Sequence, residues 1–248
     1  MIKLEKINKS FGENHVLNDF SFEFEAGKTN LIIGASGSGK TTLIKCMIGL
    51  HQHDSGNILF DNQNFSQLHK KEKRKLRQDI GMLFQGGALF DYLTVKDNIS
   101  FGLDMFTNMS QSEKNDRIEF CLNRVNLSNV NDLYPSELSG GMIKRVAIAR
   151  AISMKPKYLF CDEPNSGLDP QTAIIIDNLI REITQEYKIT TIVNTHDMNS
   201  VMEIGDNIAF LSNGNLSWKG NKDEILSSEC KELNDFVFAS KLFKKLKP

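Results

Sequence analysis

The sequence of 248 residues lacks a long hydrophobic run, closely spaced cysteines and an excess of charge of either sign. No window approaches the roughly 18 to 20 continuous apolar residues that cross a bilayer, so we expect any membrane role to depend on partners. The four cysteines do not have the spacing of a zinc or redox motif. Lys plus Arg number 30 and Asp plus Glu 31, which disfavours a strongly basic nucleic-acid binder, and no nucleic-acid partner is expected.

Short apolar runs alternate with helical patterns along the chain. Runs of the buried-strand type stand at 30–33, 80–84, 158–161 and 191–194. A long helical pattern over 171–187 separates the last two runs, as expected of parallel strands joined by crossover helices. Residues 2–7 and 20–24 alternate polar and apolar side chains, which predicts an antiparallel sheet, whereas 94–126 has helical periodicity.

A phosphate-binding loop stands between one predicted strand and the helix that follows it. The segment from Gly34 to Thr41 fits G-x-x-x-x-G-K-[ST], in which backbone N–H groups surround a phosphate and the lysine reaches the β and γ oxygens. The threonine hydroxyl is of the type that ligates Mg²⁺. The candidate phosphate-site residues are Gly34, Ala35, Ser36, Gly37, Ser38, Gly39, Lys40, Thr41 and Thr42.

Two adjacent carboxylates, Asp162 and Glu163, follow the strand at 158–161. A carboxylate at a strand end beside a phosphate loop is placed to hold the hydration shell of Mg²⁺, and the next one can orient or deprotonate the attacking water. We therefore predict that Asp162 binds the metal, through water, and that Glu163 is the catalytic base.

The segment Leu138-Ser139-Gly140-Gly141 opens another helical pattern and forms a second candidate anion site. Together these motifs resemble those of the ATP-hydrolysing subunits of ABC transporters. Their order is the phosphate loop, Gln85, LSGG, Asp162-Glu163, the turn from Ser166 to Asp169, and His196. The resemblance spans residues 1 to about 225. It implies an α/β fold with a P-loop NTPase core of mainly parallel strands, an antiparallel β lobe and a helical subdomain.

The resemblance implies ATP and Mg²⁺ as cofactors and a homodimer in which two copies sandwich ATP head to tail. Ser139, Gly140 and Gly141 would hold the γ-phosphate of the partner's ATP, and Asp169 would link the two sites. Gln85 would contact Mg²⁺ and the attacking water, and His196 the γ-phosphate. The resemblance also implies that the Phe11 ring stacks on adenine, that Val16 is a second adenine contact, and that the metal ligands are Thr41, Gln85 and Asp162.

The resemblance divides the chain into an ATPase domain over 1–225, with its helical subdomain over roughly 86–155, and a C-terminal helical tail over 226–248. The end of the tail, 241–248, is rich in lysine, so it is either a surface for anionic lipid or a partner, or a solvated terminus. Whether the tail also clasps the dimer partner is an open alternative.

Two segments, Met82–Phe90 and Pro135–Met142, look like those of the Mla/MCE-type phospholipid-transport ATPases. This subgroup implies transport of phospholipid or related lipids between bacterial membranes, at the cytoplasmic face of the bacterial inner membrane. An MlaE-like permease would dock near Ala88–Leu93, and an MCE-domain lipid-binding protein would belong to the complex. The apolar residues of Ala88–Leu93 are alternatively part of the core. The alternative function is the ATPase of a small-solute or lipoprotein ABC transporter.

Overall fold

The computed structural model describes residues 1–239, which form two β-sheets and a group of helices. A four-stranded antiparallel sheet has the order β2-β1-β4-β5, and a six-stranded sheet has the order β10-β9-β3-β8-β7-β6. The strands are β1 Ile2–Phe11, β2 Asn14–Phe24, β3 Thr29–Ile33, β4 Ser55–Phe60, β5 Gln63–Asn64, β6 Ile80–Leu83, β7 Tyr158–Asp162, β8 Thr190–Thr195, β9 Asn207–Ser212 and β10 Asn215–Gly220.

Five strands of the larger sheet, from β9 to β6, run parallel, and β10 pairs antiparallel with β9 at one edge. A turn with positive φ at Asn213 and Gly214 joins β9 to β10, as expected of an Asn-Gly hairpin. Because parallel strands end at a common edge, β3, β7 and β8 deliver the residues that follow them to the same place.

The helices lie between and after these strands. They are α1 Lys40–Met47, α2 Lys70–Gln78, α3 Val95–Phe106, α4 Gln111–Arg124, α5 Gly140–Ser153, α6 Pro170–Tyr187, α7 Met198–Ile204 and α8 Lys231–Val237. Helices α3, α4 and α5 fall within 86–155, the range expected for a helical subdomain, although that boundary remains a prediction. Of the C-terminal tail, α8 is described, whereas the basic segment 241–248 lies outside the described residues.

The central strand β3 is buried on both faces, which explains its continuous apolar sequence. Leu31 and Ile33 pack into a core shared with α3 to α6, whereas Ile32 faces a second core built from the antiparallel sheet and α1. These two cores fix the position of the loop that leaves β3. Among residues 1–239, no helix is both long and apolar enough to cross a membrane.

Candidate nucleotide-binding site

The loop from β3 to α1 passes so close to neighbouring backbone at two positions that only glycine fits there. A Cβ at Gly34 would lie 2.3 Å from the carbonyl oxygen of Leu211, and one at Gly39 would lie 2.8 Å from that of Val16. Gly39 also has φ of 106°, in the region that favours glycine. The backbone of this predicted phosphate loop is therefore held against its neighbours in one shape.

Lys40 lies buried within the loop, and its Nζ donates to the carbonyl oxygens of Gly34 at 2.8 Å and Ala35 at 3.0 Å. Burial lowers the pKa of this ammonium, while the charges of Glu163 and Asp162 act in the opposite direction. The Oγ of Ser38 is buried and has no hydrogen-bond partner within the described part of the chain. A buried cation, an unpaired hydroxyl and the N-terminus of α1 together fit a phosphate.

Asp162 and Thr41 meet where β7 and the phosphate loop end. The Thr41 Oγ1 donates to Asp162 Oδ1 at 3.1 Å, and the carboxylate is 7% exposed. Hydroxyl and carboxylate oxygens are the ligand types that Mg²⁺ prefers, so both residues fit the metal role predicted for them. The third predicted ligand, Gln85, is placed differently: its side-chain amide donates to Ser166 Oγ at 3.2 Å.

Glu163 and His196 lie side by side at the ends of β7 and β8. The His196 Nδ1 lies 2.9 Å from both Glu163 carboxylate oxygens. Glu163 has φ of 49°, a left-handed conformation that is unusual for a residue other than glycine, and its N–H donates to the Asn194 carbonyl at 2.9 Å. Local strain held by such contacts is typical of functional positions.

The LSGG segment forms the exposed N-terminus of α5. Ser139 is the N-cap, and its Oγ accepts from the Met142 N–H at 3.3 Å. The helix packs so closely on α6 that a Cβ at Gly141 would lie 2.7 Å from Thr172 Cγ2. Asp169 caps α6 by accepting from the Thr172 hydroxyl and backbone N–H, and these bonds lower the pKa of its carboxyl.

Two cavities, of about 540 and 680 Å³, flank the phosphate loop at Ala35 and Ser36. Val16 lines the first, and Glu163 and His196 line the second, whereas the LSGG residues line neither. Phe11 is also outside both linings: its ring is 46% exposed, with its centroid 5.4 Å from that of His51. Among the described residues, the phosphate loop, Val16, Glu163 and His196 therefore lie around the same two cavities, whereas the LSGG segment does not line them.

Sequence reasoning missed two cations on α5 that hold the segment after Gln85. Arg150 donates to the carbonyl oxygens of Gly87 at 2.8 Å and Ala88 at 2.7 Å, and burial lowers its pKa. The buried Lys144 ammonium contacts the Gln85 carbonyl oxygen. The sequence did contain a signal for these two residues, because Lys144 and Arg150 stand within the apolar pattern of this helix. Charged side chains are rarely buried in a core unless they have a partner.

Comparison with known proteins places the chain in a family. The family model described as ABC transporter matches residues 17–166. The methionine import ATP-binding protein MetN of Clostridioides difficile is 38% identical over 96% of this chain and 74% of its own length. The sulfate/thiosulfate import ATP-binding protein CysA of Escherichia coli is 36% identical over 90% of this chain and 61% of its own length.

Solved structures support the same assignment. A dimeric ATP-binding cassette described as a post-hydrolysis state bound to ADP and Pi aligns with a TM-score of 0.81 and 31% identity, over 90% of this chain and 99% of its own. The cbiO1 protein of Clostridium perfringens, part of the cbiONQ ABC transporter complex, aligns with a TM-score of 0.84 and 32% identity, over 98% of this chain and 96% of its own.

The chain belongs to the ABC transporter family, and it is an ATP-binding, ATP-hydrolysing subunit of that family. Its cofactors are ATP and Mg²⁺. The predicted ABC ATPase fold, with parallel strands, an antiparallel sheet and helices, is confirmed.

Proposed function

We propose that this chain is the ATPase subunit of an ABC transporter that imports a small solute. The observation that carries the proposal is the similarity to methionine and sulfate/thiosulfate import ATP-binding proteins over nine tenths or more of this chain. This is the alternative reading of the sequence, and the relatives favour it over lipid transport. The substrate itself is recognised elsewhere in such a complex, so the chain's own residues carry the ATP chemistry.

The proposed binding roles follow from the contacts at the sheet edge. The phosphate loop and Lys40 hold the β- and γ-phosphates, and Thr41 and Asp162 hold Mg²⁺, with Asp162 acting through water. Once bound, the metal would neutralise charge on the phosphate oxygens. Gln85 would move from Ser166 to reach the metal and the attacking water.

The proposed chemical roles fall to the pair at the ends of β7 and β8. Glu163 accepts the proton of the attacking water, because its carboxylate is partly buried, at 14% exposure, and faces the cavity beside the phosphate loop. His196 orients that carboxylate and is itself 56% exposed, so it is free to contact a phosphate that enters the cavity.

A homodimer completes the site in this proposal. Ser139, Gly140 and Gly141 present a helix N-terminus that is separate from the phosphate loop of the same chain. A second copy placed head to tail would bring its LSGG segment onto the γ-phosphate, and Asp169 would connect the two sites. Dimeric arrangements are described for the similar cassettes, which supports this geometry.

The permease would dock on the segment Ala88–Leu93 and the adjacent face of α3. Tyr92 is 75% exposed, and the ring of Phe90 lies 4.8 Å from that of Phe101, which is also exposed. The buried Asn98 stiffens the segment by bonding the Phe90 N–H at 2.8 Å and its carbonyl at 3.1 Å. Exposed aromatic side chains on a fixed loop suit a partner helix, and docking there would hold the chain at the cytoplasmic face of the bacterial inner membrane.

Phospholipid transport remains a second candidate because the sequences of Met82–Phe90 and Pro135–Met142 resemble those of Mla/MCE-type ATPases. Met142 packs partly against the core, and its thioether is only a weak hydrogen-bond acceptor. In that case the partners would be an MlaE-like permease and an MCE-domain protein.

Purification of the tagged full chain from gently solubilised membranes distinguishes the two candidates. We expect a multi-span permease together with a solute-binding protein, and hydrolysis that increases when the purified complex in liposomes receives its solute. A Tyr92→Ala variant should lose the permease, whereas a Tyr187→Ala variant should keep it, because Tyr187 is an exposed aromatic residue at the end of α6 and not part of the docking segment. Recovery of an MCE-domain protein with bound phospholipid would reject the small-solute proposal.

A further inference from the structure

Asn194 stands on β8 next to the two residues that fit Mg²⁺, although nothing in the sequence patterns singled it out. It is 1% exposed and pairs in register with Asp162 on the neighbouring strand β7. Ile192 and Val193, just before it on the strand, are fully buried apolar residues. Burying an amide among such neighbours costs free energy unless its polar atoms are paired, so its partners indicate what it does.

The amide nitrogen of Asn194 joins both metal-site residues. Nδ2 donates to Asp162 Oδ1 in a short hydrogen bond and lies 3.3 Å from Thr41 Oγ1. The orientation of the amide follows from chemistry, because an ionised carboxylate only accepts and would repel the amide oxygen. The Asn194 backbone carbonyl also accepts from the Glu163 N–H at 2.9 Å. Asn194 therefore contacts the side chain of Asp162 and the backbone of Glu163.

The amide oxygen of Asn194 is buried and has no hydrogen-bond partner among residues 1–239. A buried acceptor left unpaired is costly, and in native proteins it usually has a water or a ligand as its partner. Water bound to a divalent cation is a strong donor, and the two residues that fit the cation are the ones that the same side chain contacts.

We propose that Asn194 is a positioning residue of the magnesium site. Its amide nitrogen holds the Asp162 carboxylate and the Thr41 hydroxyl in one arrangement, and its amide oxygen accepts a hydrogen bond from water bound to Mg²⁺. Its role is to raise the affinity for the metal-bound nucleotide, not for the nucleotide alone. This inference goes beyond the proposed transport function and holds for any transported substrate.

The test compares nucleotide affinity with and without the metal in the purified full chain. A fluorescent ATP analogue is titrated into the Asn194→Val variant in Mg²⁺ and in EDTA. We expect the Kd in Mg²⁺ to rise about 10-fold or more, while the Kd in EDTA stays within about twofold of the wild-type value, as for loss of an outer-shell contact to a metal site. Electron paramagnetic resonance of added Mn²⁺ should show the same loss of metal affinity in the nucleotide complex.

Thr191→Val is the matched control, because Thr191 is a buried polar residue of the same strand whose Oγ1 bonds Thr184 Oγ1 at 2.6 Å, away from the metal site. It should leave the ratio of the two Kd values unchanged. Asn194→Ala repeats the test with a side chain too small to crowd the strand if the valine variant does not fold. Equal loss of affinity in Mg²⁺ and EDTA, or no loss in either, would overturn the proposal.

Discussion

The His196 imidazole lies 2.9 Å from both carboxylate oxygens of Glu163, although 33 residues separate the two in the chain. Parallel pairing of β7 with β8 causes this proximity, because Asp162 stands opposite Asn194 and the residues after them leave the sheet at the same edge. The pairing gives the proposed base a fixed orientation, and the first two predictions test it.

Replacement of Glu163 by glutamine should abolish turnover without abolishing nucleotide binding. Glutamine keeps the size of the side chain but cannot accept the proton of water, so we expect kcat to fall by about 10²- to 10⁴-fold. Phosphate release measures kcat, and a fluorescent ATP analogue measures binding. Glu182→Gln on α6 is the control. This carboxylate is 60% exposed and is not one of the pair at the ends of β7 and β8. An unchanged kcat would remove Glu163 from the role of base.

The effects of replacing Glu163 and His196 should not be additive. If His196 acts by orienting Glu163, removing its imidazole in a Glu163→Gln background should cost much less than removing it from the wild-type chain. The measurement is kcat for His196→Ala, Glu163→Gln and the double variant. Additive losses of activation free energy would mean that the two side chains act independently.

Arg150 should stabilise the segment that follows Gln85. Replacing it with methionine keeps the volume but leaves the carbonyl oxygens of Gly87 and Ala88 without the guanidinium, so we expect the free energy of unfolding to fall by about 1 to 3 kcal/mol. Hydrogen exchange at 85–89 should become faster. Arg145→Met on the same helix is the control, because that guanidinium bonds the Asn126 carbonyl instead. Equal exchange at 85–89 in both variants would contradict the assignment.

Asp177 should make the protein less stable as the pH rises through the acidic range. It is 3% exposed, and burial raises the pKa of its carboxyl to about 6. The charges of Asp197 and Glu203 also raise this pKa, whereas hydrogen bonds from Ser200 and Asn165 lower it. The native state therefore keeps a proton that the unfolded chain, with its ordinary pKa of 3.8, releases.

The contribution of Asp177 to stability is accordingly lost between about pH 4 and pH 6, and at pH 7 the ionised carboxylate carries a penalty of up to about 3 kcal/mol. Asp177→Asn should raise the free energy of unfolding at pH 7 relative to the wild type and should flatten its decline between pH 4 and 6. Urea titrations at several pH values measure this, with the exposed Asp116→Asn as the control. A steeper decline in the asparagine variant would contradict the prediction.

Local motifs were predictable from the sequence because their residue types and their spacing together indicate one kind of site. The phosphate loop, Asp162 and Glu163 each follow an apolar strand, and parallel pairing brings such strand ends together whatever the rest of the chain does. Asn194, Lys144 and Arg150 were not predicted, because their partners depend on which strand lies next to β8 and on how α5 packs against 85–88.

The transported substrate was harder to predict than the fold. The segments Met82–Phe90 and Pro135–Met142 suggested lipid transport. The first precedes the segment proposed to dock the permease and the second runs into the start of α5, and neither is described against a transported substrate. The relatives instead favour import of a small solute. The adenine-stacking role of Phe11 stays a prediction, and its ring does not line the cavities beside the phosphate loop.

Sedimentation of the Glu163→Gln variant with ATP tests the head-to-tail site most directly. Because this variant should hold ATP without hydrolysing it, two copies joined by two nucleotides should sediment as a dimer with ATP and as a monomer after ATP is removed. Adding Ser139→Arg to the same chain should abolish the dimer while one nucleotide still binds each phosphate loop. A Glu163→Gln chain that binds ATP and stays monomeric at every protein concentration would contradict the shared site.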